Sequence, residues 1–447
     1  MKTETLETGR HQSQLSSINR PLGPTENIYY LLDKLYCLNF VVFAEINGTL
    51  DVDKLDVALE AVQREQPLLR ARIALIDGRH WFKSVRLEQS PLKVEVSPLR
   101  NWRLKIAAQL NAQFADNAPL ARFLWFHGIG RRSVAAMVFH HCIADGKSGT
   151  NVLIEALRRA GGEDIPLRFQ RARPSSQDLD LIKTRGVIGG SVQKLNYWLN
   201  QGRTALMFAQ QLPGYDTGLR PERNVKIIPF SVPKRTGQAL LAACQAHGAS
   251  VHGALGAAQV LALNAEFDSA EARNMALTSL ADLRGVLGGN LTEHDLGLYI
   301  ATLTTVHHIA AKPDFWKLAV DIRKQLKQIL NSGDANLIHS MYPEDSLFPP
   351  TKLDALMVQA MVALGPPSSM LTNIGRLDPI TLGNGARVRS VAFVVSPPAQ
   401  HPICVTAASY LGCTYLNLLY DQHKVSDGQA QRIANSLIAF INAAAKS

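Results

Sequence analysis

The sequence predicts an α/β protein built from two packed domains, and three observations carry that expectation. The chain has 447 residues, too many for one ordinary hydrophobic core. Strand-like runs rich in β-branched and aromatic residues alternate with amphipathic helical runs in both halves. Between the halves the pattern weakens, broken by Pro166, Pro174, the Gly186–Gly190 region and Pro213-Gly214, and then restarts. Residues 1–18 accordingly read as a mobile leader, 19–165 as an N-terminal domain, 166–223 as a crossover and 224–447 as a C-terminal domain.

In the first half, Val41–Asn47 has strand composition, and Asp53–Glu65 carries Leu55, Leu59 and Val62 on one helical face. Pro67 ends that helix; strands follow at Leu69–Ile76 and His80–Val85, and a helix over Trp102–Phe114. Arg122–His127 and Val134–His140 are apolar enough for central strands, and a helix from about Ser148 to Ala160 ends at Gly161-Gly162. The crossover has room for a helix within Val192–Leu212.

In the second half, strands are expected at Val225–Val232, Met275–Leu280, Leu296–His307, Arg387–Val395, Ile403–Ser409 and Thr414–Tyr420. Helices are expected at Arg235–Ala246, at Val251–Ala265 behind a Ser250 cap, and at Asp314–Leu330. A last helix starts at Ser426-x-x-Gln429, the spacing of a capping box.

Composition narrows the function. With 46% hydrophobic and 19% charged residues the chain is globular in type. No apolar run approaches the ~20 residues of a membrane span, and Met1–Arg20 lacks the apolar stretch of a secretory signal. Five scattered cysteines without C-x-x-C spacing fit a reduced, cytoplasmic protein with no disulfide framework and no metal, and Cys413 reads as a buried thiol. The net charge of +10 comes from short groups such as Arg100–Lys105 and Arg168–Arg173, which suit a solvated basic surface or an anionic ligand; no nucleic-acid-binding stripe stands out.

One stretch carries chemistry: His140-His141-Cys142-Ile143-Ala144-Asp145-Gly146. Neighbours at a strand end point to opposite faces, so one histidine meets a cleft while the other packs. Histidine is the natural general base near neutral pH. Asp145 can brace the turn, pair with a cation or simply cap the helix that follows. Gly146 is expected to supply the unusual dihedrals of a tight turn. Zinc lacks a third ligand at recognisable spacing, and His307-His308 repeats the dipeptide without an Asp-Gly after it.

Taken together, His-His-x-x-x-Asp-Gly about a third of the way along the chain resembles the coenzyme-A-dependent acyltransferase superfamily. That group includes nonribosomal-peptide condensation domains, polyketide-associated acyltransferases, wax ester synthases and alcohol acetyltransferases. Arg20-Pro21-Leu22-Gly23-Pro24-Thr25-Glu26 is similar to the opening of the polyketide-associated branch. Gln66-Pro67-Leu68-Leu69-Arg70 resembles the family's His-Pro-x-Leu-Arg, departing at Gln66. Ala281-Asp282-Leu283-Arg284 resembles its Asp-Leu-Arg, and Leu371-Thr372-Asn373-Ile374-Gly375 its Ser-Asn-x-Gly, with threonine for serine.

The resemblance implies two chloramphenicol-acetyltransferase-like domains in a V-shaped pseudo-dimer with a channel between them. It implies His141 as general base, His140 and Gly146 in support, Asp145 paired with Arg284, and Asn373 or Thr372 near an oxyanion. The implied substrates are an acyl thioester of coenzyme A or of an acidic acyl carrier protein, and a hydroxyl acceptor. No permanently bound cofactor and no acyl-enzyme are implied, and a monomer is expected. An amide-forming condensation enzyme and a non-catalytic carrier-binding module are the competing readings.

Overall fold

A computed structural model describes residues 17–128, 130, 132–176, 178–179, 207–216, 218, 222–332, 335, 352–363 and 365–447. Nearly all of the expected leader, and most of the helix considered within Val192–Leu212, lie outside the described residues.

The first half runs β1 (Asn19–Pro21), α1 (Pro24–Leu35), β2 (Asn39–Asn47), α2 (Val52–Glu65), β3 (Ala71–Ile76), β4 (Arg79–Ser84), β5 (Val94–Pro98), α3 (Trp102–Gln109), β6 (Ala121–His127), β7 (Arg132–His140) and α4 (Gly146–Ala160). The second runs β8 (Val225–Val232), α5 (Lys234–Ala246), α6 (Val251–Asn264), β9 (Arg273–Asp282), β10 (Ile300–Ile309), α7 (Phe315–Ser332), α8 (Lys352–Ala363), β11 (Ser368–Leu377), β12 (Arg387–Val395), β13 (Cys404–Tyr410), β14 (Cys413–Asp421) and α9 (Asp427–Ala444).

Helix starts follow side-chain chemistry. Asp51, Ser250 and Ser426 each accept a backbone N–H of the helix they open, from Asp53, Gly253 and Gln429 respectively. α6 is apolar nearly all round and buried accordingly, sandwiched by α7 and α9 over the second-half sheet. α4 packs its Val152, Leu153, Ala156 and Leu157 face against α2 and the sheet behind it. Gly149 makes that approach possible, because a Cβ there would stand 2.8 Å from the Phe40 ring.

Several expectations change in detail. The helix from Trp102 ends at Gln109 rather than Phe114, because Asn39 Nδ2 takes the carbonyls of Gln109 and Ala112 and the chain turns there. Pro67–Arg70 forms a 3-10 turn, so the strand expected from Leu69 begins at Ala71. The strand expected from Leu296 begins at Ile300. Cys413 is half-buried rather than buried, since it sits next to the exposed Leu411-Gly412 turn that closes the β13–β14 hairpin. Helices α1 and α8 and strands β1, β5 and β11 are additions.

Among the described residues three sheets result: β1-β4-β3, β12-β2-β7-β6-β5 and β10-β9-β11-β13-β14-β8. They do not follow the halves of the sequence. β12, from the second half, pairs antiparallel with β2 along almost its whole length, Phe393 opposite Val42. At the same time the Phe393 carbonyl accepts hydrogen bonds from Thr406 Oγ1 (2.6 Å) and Asn417 Nδ2 (3.0 Å) of the six-stranded sheet. One strand thus belongs to one sheet by its backbone ladder and touches the other through peptide oxygens, Phe393's and also Arg389's, which accepts the Tyr415 hydroxyl at 3.1 Å.

This arrangement predicts that Val391→Asp, which places a charge at a fully buried β12 position, lowers stability by at least about 3 kcal/mol. Because β12 ties both large sheets, urea unfolding followed in each half is expected to remain one coincident transition; two separated transitions would contradict the role given to this strand.

Candidate active site between the halves

β7 ends at His140, held in register opposite Asn39, and His141 begins the turn that leads to α4. The two rings diverge as strand alternation requires. His140 lies between Tyr30 and Phe114, with its Nδ1 accepting the Cys142 N–H at 3.2 Å. His141 packs on the other side against Tyr29 and Phe40, ring centroids 4.6 and 5.0 Å away.

His141 Nδ1 lies 3.0 Å from the Ala144 carbonyl oxygen. A carbonyl only accepts, so Nδ1 carries the hydrogen and Nε2 is the basic nitrogen. Among the described residues Nε2 has no hydrogen-bond partner, and His141 lines a cavity of about 150 Å³. Burial pushes the imidazole down to about 4, against the opposing pull of its backbone hydrogen bonds and the Asp145 charge. At neutral pH the ring is therefore neutral and able to accept a proton.

The walls come from both halves: Tyr29, Phe40 and Gly146-Lys147 on one side, Leu280–Asp282, Arg284, Met370 and Thr372–Ile374 on the other, with Phe393 from the shared strand. Thr372 and Asn373 are the last residues of β11 paired regularly with β13 before its register shifts between Asn373 and Arg376, and within that gap Gly375 adopts φ +82°. Asn373 Oδ1 accepts the Gly375 N–H at 2.9 Å. That contact uses the amide's oxygen and leaves its nitrogen, a donor, for the cavity.

Asp145 does two of the things the sequence left open. Its Oδ1 caps α4 by accepting the Ser148 N–H at 2.9 Å. Its Oδ2 takes Arg284 at 2.9 Å and the Tyr299 N–H at 3.1 Å. Arg284 is satisfied on every side: Nη1 binds Asp282 (3.0 Å), Nε the Thr292 carbonyl (3.1 Å) and Nη2 also the Asp295 carbonyl (3.3 Å). Desolvation works against the guanidinium charge, but Asp145 and Asp282 outweigh it and hold the group above its ordinary value.

Gly146 needs correction. It is the first residue of α4 and does not occupy the left-handed region, so no unusual dihedral demands glycine there. What demands it is space. A Cβ would meet Ile374 at 3.3 Å and Phe393 at 3.5 Å, filling the mouth of the cavity.

The seven residues singled out from the sequence thus divide cleanly: His141, Gly146, Arg284, Thr372 and Asn373 line one cavity, Asp145 braces it from behind, and His140 faces away. Sequence reasoning missed Tyr29, Phe40, Lys147, Asp282 and Phe393. Tyr29 had a signal: Pro24 and Glu26 mark a helix start, and Ile28, Leu31 and Leu32 follow at helical spacing. Phe393 had none, because nothing local says that β12 changes sheets.

Two α/β lobes closing on a histidine at their junction define the chloramphenicol-acetyltransferase-like fold expected from the sequence. The condensation domain profile matches residues 31–340, and the chain belongs to that family. No curated protein matches it. Among solved structures it is similar to polyketide synthase associated protein 5 from Mycobacterium tuberculosis, with 16% identity, TM-score 0.69 and coverage of 94% of this chain and 98% of that one. It is also similar to the TRI3 trichothecene 15-O-acetyltransferase from Fusarium sporotrichioides (14%, TM-score 0.73, 95% and 94%). A third is the condensation domain of the Monacolin K polyketide synthase MokA (14%, TM-score 0.67, 97% and 99%).

Two outcomes follow from the geometry. Asp145→Ala and Arg284→Ala should each cost about 3–5 kcal/mol, because each leaves a buried charge without its partner. The double variant should cost clearly less than their sum in a denaturation cycle, and additive losses would refute the coupling. Gly146→Ala should keep the melting temperature within a few degrees while blocking small-molecule access to the cavity. Unhindered access in this variant would contradict the packing explanation.

Proposed function

We propose that the protein transfers an acyl group from a phosphopantetheine thioester, on coenzyme A or an acyl carrier protein, to a hydroxyl acceptor. The observation that carries this reading is the tautomer of His141: Nδ1–H is committed to the Ala144 carbonyl, which leaves a neutral Nε2 at a cavity lined by both halves. The cavity of about 150 Å³ equals roughly five liquid-water volumes, room for the reacting ends of two substrates rather than for their whole chains.

In this reading the acceptor oxygen attacks the thioester carbonyl carbon while Nε2 removes its proton. The oxygen grows more acidic as the new bond forms, so a base with a depressed pKa suffices. The tetrahedral oxyanion is met by donors of β11 just before its register shift, with Asn373 Nδ2 and the Thr372 hydroxyl as the groups at hand. Collapse breaks the C–S bond, the thiolate recovers the proton from the imidazolium, and ester and thiol leave. No acyl-enzyme is needed, because the thioester is already activated. Asp145 and Arg284 act as positioning residues.

The membership in the condensation-domain family supports acyl or condensation chemistry of this type. Among the described residues no helix is long and apolar enough to cross a membrane, and no group of three His, Cys, Asp or Glu side chains could hold a metal ion.

The test is intact-mass detection of product from a panel of acyl-coenzyme A and acyl-carrier thioesters offered to hydroxyl and amine acceptors. His141→Ala should lose about 10²–10⁴-fold in kcat/KM while staying folded. Since the base is active when neutral and burial holds it near 4, kcat/KM should be level from neutrality down to about pH 5 and fall as pH drops through 4. Retained turnover in His141→Ala would end the general-base assignment. Amide rather than ester product would move the protein to the competing condensation reading.

A further inference from the structure

By composition the group Arg168–Arg173 suits a solvated basic surface, but its last member departs from that reading. Arg173 lies in the crossover between the halves with its side chain only 28% exposed, and both its guanidinium and its carbonyl are engaged.

The guanidinium closes a loop of the second half. Nε binds Asp295 Oδ1 at 2.7 Å and Nη2 binds Oδ2 at 3.3 Å, a two-point pairing, while Nη1 donates to the Gly289 carbonyl at 2.9 Å. The loop held at those two points wraps Arg284: its Thr292 carbonyl takes Arg284 Nε and its Asp295 carbonyl takes Nη2. Asp295 is buried, and among the described residues the other donors to its carboxylate are the N–H (2.8 Å) and hydroxyl (3.0 Å) of Thr292. One carboxylate thus fixes both residues whose carbonyls hold Arg284, and Arg173 supplies the cation that offsets its burial. Further along the same stretch, the Gly297 carbonyl and the Tyr299 N–H hold Asp145 at 3.0 and 3.1 Å.

The carbonyl of Arg173 leads to the other side of His141. It accepts Arg20 Nε at 3.1 Å, and Arg20 forks onto both oxygens of Glu26 at 2.6 and 2.8 Å. Glu26 in turn accepts the Gly23 N–H at 2.7 Å and so fixes the first turn of α1. Tyr29, packed on the His141 ring, stands about one turn further along that helix. Two chains of contact therefore end at His141, one through Tyr29 and one through Arg284, Asp145 and the Ala144 carbonyl, and Arg173 joins them.

We propose that Arg173 is a positioning residue for His141, holding the ring between α1 and the loop around Arg284 while standing outside the cavity itself. Without Arg173 the Asp295 carboxylate must take up a proton or turn to water, and either change loosens the grip on Arg284. The proposal rests on His141 being the base of the acyl-transfer reading, but its test reads the ring as well as turnover.

The experiment compares Arg173→Ala and Arg173→Lys with the unaltered protein by nitrogen NMR of labelled histidine and by steady-state acyl transfer. The unaltered protein should show a protonated Nδ1 and a bare Nε2 at His141. In Arg173→Ala the two nitrogen signals should move toward each other as the tautomers mix. Its kcat should fall between about ten- and a hundredfold, with KM held within about twofold because no substrate contact is lost. Arg173→Lys keeps the cation but not the fork, and should show smaller changes of the same sign. The position is partly open to water, so about 20 mM guanidinium, far below unfolding concentrations, should restore kcat of Arg173→Ala severalfold where sodium chloride does not. Unchanged His141 signals and kcat in Arg173→Ala would overturn the proposal, as would a loss of kcat that only tracks the folded fraction. If Arg173→Ala does not fold, the same readings on Arg173→Lys decide. If no thioester is turned over by the unaltered protein, it is the acyl-transfer reading that fails, and the His141 signals alone decide the role of Arg173.

Discussion

The Asp145–Arg284 pair is the contact on which the geometry of the junction depends. Both side chains are withdrawn from water, and a desolvated pair repays its cost only when every remaining lone pair and proton finds a partner. Here they do. Asp145 spends one oxygen on the first turn of α4 and the other on Arg284 and the Tyr299 amide, while its own N–H binds the Gly297 carbonyl. The turn after β7 is therefore fixed to a helix of its own half and to a loop of the other half. Ala144 is the residue before Asp145, and its carbonyl selects the tautomer of His141. A structural ion pair thus determines, one peptide away, which imidazole nitrogen is basic.

The shared strand completes what the ion pair begins. β12 extends the first sheet beside β2 and brings Phe393 under the N-terminus of α4, where Gly146 leaves just enough room. Ile374 closes in from β11 of the other sheet. The cavity beside His141 is thus bounded by strands of both large sheets, among them β2, β9, β11 and β12, and Phe393 reaches it because β12, from the second half, joins the first-half sheet. Interior packing is dense enough that a single extra methyl group at such a point is felt. The glycine of the His-His-x-x-x-Asp-Gly stretch answers to this packing, although local reasoning about turns would always assign it to backbone freedom.

How much of this was legible in the sequence depended on the range of the interaction. Strands β2, β6, β7 and β8 and helices α2, α6 and α9 follow from periodicity and caps, which are local, and the observed boundaries lie within a few residues of those expected. The opposite facing of His140 and His141 followed from strand geometry alone. The Asp145–Arg284 pair joins positions 139 residues apart (284 − 145), and only resemblance to a family could suggest it. The sheet exchange of β12 and the arrival of Tyr29 and Phe393 at the site are consequences of topology, and no short-range pattern encodes them. The short helix Trp102–Gln109 failed for an instructive reason: its spacing continued beyond the point where a buried Asn39 amide captured its carbonyls.

Burial of His141 sets two demands against each other. Removing the ring from water lowers its proton affinity, which weakens it as a base, yet the same removal keeps it wholly neutral at working pH and strengthens every dipole aimed at the cavity. The balance has a cost in stability. A histidine held near 4 when folded and near its ordinary 6.5 when unfolded binds fewer protons in the native state across that interval. The stability cost of this ring is therefore absent above pH 6.5 and grows as pH falls toward 4. His401, buried, and His252, half-buried, are also held near 4 by loss of hydration and add to the same slope. Neither lies beside the ion pair, and His401 is tied to the Ser368 carbonyl at the start of β11. Acid would thus strain the second-half sheet as well as the junction, whereas catalysis by His141 requires only that one nitrogen stay unprotonated.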